Sequence, residues 1–81
     1  MRFDPPRLVL VLHGGHWRRG TATAARQDDA GAWRALVTYR VQHTAGSLRY
    51  HHWRPEAEVR PDLGEPLEPA PLEDRPLVGA A

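Results

Sequence analysis

The chain has 81 residues, no cysteine and a formal net charge of +1. That length holds one small domain, which excludes the large doubly wound hydrolases, and the missing thiols exclude disulfides, thiolate zinc sites and cysteine nucleophiles. The charge is split: residues 1–60 carry ten Arg against five carboxylates, a net +5, and residues 61–81 carry one Arg against five, a net −4, so a basic body is joined to an acidic tail.

The opening "MRFDPPR" lacks the long apolar run and small-residue cleavage site of a signal peptide. No stretch approaches the roughly 18 apolar residues of a membrane helix. A cytoplasmic setting without membrane contact is expected. All eleven cationic side chains are Arg, and with abundant Ala, Gly and Pro this points to a GC-rich bacterial genome. Residues 1–6 are taken as an arm.

Arg7–His13 is a Val- and Leu-rich run punctuated by Gly14-Gly15. It reads as a strand ending in a tight turn, where glycine supplies positive φ. His13-Gly14-Gly15 also resembles the oxyanion loop of an α/β-hydrolase. That chemistry needs a serine in G-x-S-x-G, and the single serine, Ser47, lies in "AGSLR" without the second glycine. No nucleophile–base set is present, so no enzyme and no cofactor are expected.

Thr21–Arg26 alternates threonine with alanine. "QDDAG" at 27–31 is a turn signal, with Gly31 placed for positive φ. Trp33–Val41 has period 2: Trp33, Ala35, Val37, Tyr39 and Val41 face one way, and Arg34, Leu36, Thr38 and Arg40 the other. "QHTAGS" is a second turn, and Leu48–Trp53 a further short strand stopped by Pro55. "PEAEVRP" has room for one tight helical turn and a last short strand. From Pro61 onward five of the eight prolines alternate with Glu and small residues, which reads as extended and disordered.

Five short strands joined by Gly-containing turns predict an all-β domain, a small antiparallel barrel over residues 7–61 that leaves no open edge. The disordered acidic tail takes 62–81. A monomer is expected.

The pattern "V.VLH.G.W..GTA.A…G.WRALVTY.V…G..RY.HW…..VRP" resembles a Tudor-type, SH3-like barrel. It is also similar to small actinobacterial proteins of like strand–turn pattern. The resemblance implies an aromatic cage that holds methylated lysine or arginine through cation–π attraction. Trp17 falls where such a domain has an aromatic opening the second strand, and Tyr39 where one closes the third. His13 stands at the first cage position, and "QHTAGS" offers no fourth aromatic.

Two binding surfaces compete. A groove between the first and third loops, lined by Trp17, Tyr39 and Tyr50 with Trp53 as a further aromatic, fits a protein or peptide partner. Each tryptophan has the alternative reading of a core anchor. The arginines beside aromatics (Arg18, Arg19, Arg34, Arg40, Arg49 and Arg54) suit phosphates and stacked bases. Arg18, Arg19, Arg40 and Arg49 are the candidates for contact with DNA or RNA, with the acidic tail masking them. Five histidines invite a metal, but adjacent His51-His52 point to opposite faces of a strand, and carboxylates beside the others are scarce. No metal site is expected.

Overall fold

The computed structural model describes residues 1–73. Five strands follow one another: β1 (Arg2–His13), β2 (His16–Gln27), β3 (Trp33–His43), β4 (Gly46–Pro55) and β5 (Val59–Pro61). One 3-10 turn, Glu56–Glu58, sits between β4 and β5. They form a single antiparallel sheet in the order β4-β3-β2-β1-β5. Among the described residues no helix is long and apolar enough to cross a membrane.

The turns follow from the glycines. Gly14 and Gly15 take φ of 62° and 78°, the paired left-handed conformation of a two-residue hairpin loop whose twist matches its strands. The β2–β3 loop closes on Asp28, whose carboxylate accepts the N–H groups of Ala30 and Ala32 at 2.9 and 3.0 Å. The Ala32 N–H, with help from Ala30 and Arg34, holds that carboxyl below its ordinary range. Gly31 follows at φ 83°.

The alternation along β3 is borne out over most of its length. Val37, Tyr39 and Val41 are buried and join Val9, Val11 and Ala22 in the core, with Phe3, Ala35, Tyr50 and Val59 around them. Trp33 opens β3 at the loop and is 42% exposed, so it is no core anchor.

The barrel is not closed. β4 and β5 are both edges of the sheet and do not pair. Side chains bridge the opening instead: Arg54 of β4 donates through Nη2 to the Leu12 carbonyl of β1 at 2.8 Å, and its Nη1 pairs with Glu58 of the 3-10 turn at 3.1 Å. A long cation facing the open edge also discourages pairing with another chain.

Residues 1–6, expected as an arm, belong largely to β1. The ladder is interrupted between Arg2 and Arg7, around Pro5 and Pro6, which have no N–H to give. Met1 and Ala25 exchange backbone hydrogen bonds at 2.8 and 2.9 Å.

The tail expectation divides at the last described residue. Residues 74–81 lie outside the described residues. Residues 62–73 form no helix, bend at Gly64 with φ 80°, and lie against the body, ending in a parallel bridge between Glu73 and His43.

Candidate functional site

β2 changes partners along its length. Its second half, from Gly20 to Gln27, pairs with β3, while His16–Arg19 pairs with β1 alone. The β3 backbone beyond Tyr39 therefore has a free edge on that side. The tail occupies it. Glu73 N–H donates to the Gln42 carbonyl at 2.9 Å, and Thr44 N–H to the Glu73 carbonyl at 3.1 Å.

The Glu73 side chain meets Arg18, Nη2 to Oε1 at 3.2 Å. Arg18 points to the inner face and is only 8% exposed; its Nε also donates to the His13 carbonyl at 3.2 Å. A buried guanidinium needs such a partner, since an unpaired buried charge is strongly destabilising. Gly14 leaves the room: a Cβ there would stand 2.7 Å from Glu73 Oε1.

Upstream, the same segment crosses the outer face of β1 and β2. Arg19 pairs with Asp62 at 3.2 Å and donates to the Glu65 carbonyl. Pro66, Leu67 and Glu68 line a cavity of about 270 Å³ with Gly15, His16, Trp17 and Arg60. The Arg60 guanidinium lies 4.2 Å over the Trp17 ring. Leu10, in register between Arg19 and Arg60, faces outward yet is 3% exposed. Arg19, held by Asp62 and Glu65, and Arg60, held over Trp17, flank it on that face.

A second constellation fills the seam between β1 and β4. The Tyr39 hydroxyl lies 2.8 Å from His13 Nδ1, 3.0 Å from His52 Nε2 and 3.4 Å from Arg54 Nη2. One assignment satisfies every contact: the hydroxyl donates to His13 and accepts from His52 and Arg54. Tyr50 stacks on Tyr39 with ring centroids 5.3 Å apart. Burial pushes the Tyr39 phenol up. Burial, then the neighbouring Arg18 and Arg54 charges, lowers the pKa of His13; burial, then Arg54, lowers that of His52.

These shifts fix a pH dependence. Both imidazoles stay neutral in the folded state below the pH at which they protonate in the unfolded chain, whose value is near 6.5. The unfolded state then binds more protons, so stability falls as pH drops through that value. Thermal melts at about pH 7.5 and 5.5 should show a lower Tm at the acid value. The difference should shrink in a His13→Asn, His52→Gln variant. An undiminished difference in that variant would assign the acid sensitivity to other groups.

The expected site residues do not share one surface. Tyr39 and Tyr50 are cross-strand partners on the inner face, and Tyr39 is 2% exposed. Trp17 and Trp53 stand at odd spacing from these partners and occupy the outer face. Trp17 and Tyr39 are on opposite sides of the sheet, so they do not form the methyl-ligand cage that the resemblance implies. Arg18 is buried and Arg19 is tied to the tail, while Arg40 and Arg49 face each other, exposed, on the outside of β3 and β4. Sequence reasoning missed Glu73, Gly14, Arg60 and the His13–Tyr39–His52–Arg54 knot.

Among the described residues no group of three His, Asp or Glu is placed to hold a metal, and Ser47 stands opposite Gln42 at the β3–β4 hairpin, far along the sheet from the seam histidines. Comparison with protein-family models, with curated proteins and with solved structures gave no match.

Proposed function

We propose that the protein is a non-catalytic binding module that recognises an extended, proline-containing acidic segment of a protein partner. One observation carries this reading: the chain's own segment 62–73 lies along Arg19, Trp17 and Arg18 and adds a strand residue to β3. The dock combines three general modes of peptide recognition. Backbone pairing at a free strand edge gives affinity, an aromatic surface suits proline-rich chain, and a guanidinium receives the carboxylate. The SH3-like reading of the fold draws support from the order of the strands and from β5 returning to β1 after a 3-10 turn.

The test uses the full chain and a synthetic peptide of residues 61–73. A tethered segment competes at an effective concentration on the order of millimolar, so the wild type should take up the peptide poorly. Glu73→Arg expels the tethered carboxylate from Arg18. That variant should bind the free peptide at least ~10-fold more tightly in calorimetry, with the Trp17 fluorescence responding. Equal uptake by both proteins, or none by either, would remove the peptide-binding reading.

A further inference from the structure

The outer face of β3 and β4 carries a charge arrangement that makes no ion pair with segment 62–73. Arg40 and Arg49 are direct cross-strand partners, both exposed. Like charges in that relation repel and weaken the ladder. Among the described residues the four ion pairs engage Arg18, Arg19, Arg34 and Arg54, and none engages Arg40 or Arg49. Asp62 and Glu73 pair with β2, so among the described residues no carboxylate offsets the Arg40–Arg49 repulsion. An anion held between the two guanidinium groups turns that repulsion into attraction, and planar, forked donors match phosphate oxygens.

The neighbouring rungs extend the surface. Thr38 and His51 come next, hydrogen-bonded Oγ1 to Nδ1 at 2.6 Å. Leu36 and Trp53 follow. Across the Trp53 ring lies the Arg26 guanidinium, 4.3 Å from the centroid. At about 3.4 Å per residue this places an aromatic–guanidinium plane about 14 Å from the arginine pair.

We infer that this face binds single-stranded nucleic acid, with Arg40 and Arg49 on backbone phosphate and the Arg26–Trp53 stack beneath a base. Cationic groups tracking the backbone beside a stacking platform are what single strands require. Among the described residues there is no α-helix to enter a duplex groove. This surface is separate from the peptide dock.

The experiment is fluorescence anisotropy of the full chain with a labelled single strand of about 12 nucleotides, at about 50 and 200 mM salt. Wild type should bind with clear salt dependence. Arg40→Ser with Arg49→Ser should lose at least ~10-fold in affinity at low salt, and the log–log salt slope should shrink by about 1.4, for two phosphates on a single strand. The Tm of that double variant should not fall, because the pair removed is repulsive; lost binding therefore cannot be lost fold. Glu73→Arg should bind the strand as the wild type does or better, which separates this result from the fate of the peptide dock. Unchanged affinity in the double variant overturns the inference. So does absent binding by the wild type, or tighter binding to a duplex of the same sequence.

Discussion

Tyr39→Ala should destabilise the domain by about 3–5 kcal/mol, the usual cost of emptying a buried aromatic site. Folded domains have roughly 5–15 kcal/mol in all, and small ones sit low in that range, so this variant should be largely unfolded near 37 °C. Tyr39 joins two things that a small domain needs. Its ring packs with Val37, Val41 and Tyr50 in the core, and its hydroxyl ties β3 to His13 of β1 and to His52 and Arg54 of β4. Tyr39→Phe separates the two. The ring stays, and the three polar partners lose their common acceptor and donor, which should cost about 1–3 kcal/mol. Urea denaturation of both variants reads the difference. A Phe variant as stable as wild type would mean that the hydroxyl knot is replaceable by water and that packing alone closes the seam.

Gly20→Val should destabilise by about 1–3 kcal/mol or more, for a reason unconnected with turn conformation. Gly20 lies inside β2, outside the set of positive-φ glycines, and is in register with both Val9 and Tyr39. Any Cβ there would collide with the Thr38 carbonyl oxygen and come within 2.9 Å of Tyr39 Cβ. The backbone oxygen cannot rotate away as a flexible side chain would. The site is also where β2 parts from β3, so the strands must spread at the point that opens the edge for Glu73. Chemical denaturation should therefore show a lower midpoint for Gly20→Val. Peptide uptake by the same protein should change with it. A variant of wild-type stability would show that β2 and β3 separate there without cost.

Several features of this fold are local, and local features are legible. Gly14-Gly15 and the Asp28–Gly31 stretch specify their turns through φ and a short carboxylate side chain. The alternation of Val37, Tyr39 and Val41 specifies the buried side of β3. The 3-10 turn and last short strand follow from Pro55 and Val59. Parity along the strands was legible too, and it bears on the candidate site. Tyr50 and Trp53 are three residues apart on one strand, as are Trp17 and Gly20, so in each pair the two members face opposite ways. A single groove lined by Trp17, Tyr39, Tyr50 and Trp53 conflicts with that spacing.

What was not legible depends on distant parts of the chain. Nothing near Arg18 announces that its partner is Glu73, and nothing in the alternation of β2 says that its first half leaves β3. Proline-rich composition correctly excluded helix from 62–73. It did not exclude docking, because an extended segment can still give one N–H and one carbonyl to a waiting strand edge. Closure failed as an expectation for a similar reason: strand count and turn spacing do not determine how far the sheet curls, and Arg54 spans with a side chain what a ladder would otherwise span.

The Arg18–Glu73 contact also sets an order of events during synthesis. The hairpins β1–β2, β2–β3 and β3–β4 join neighbouring stretches and can form one after another as the chain leaves the ribosome. β5 must return to β1, and Glu73 to Arg18 across 55 residues, which are distant closures and slow ones. Until residue 73 has been made, the growing chain holds an inward-facing guanidinium without its carboxylate. Commitment to the final structure is thus deferred until residue 73 has joined the chain.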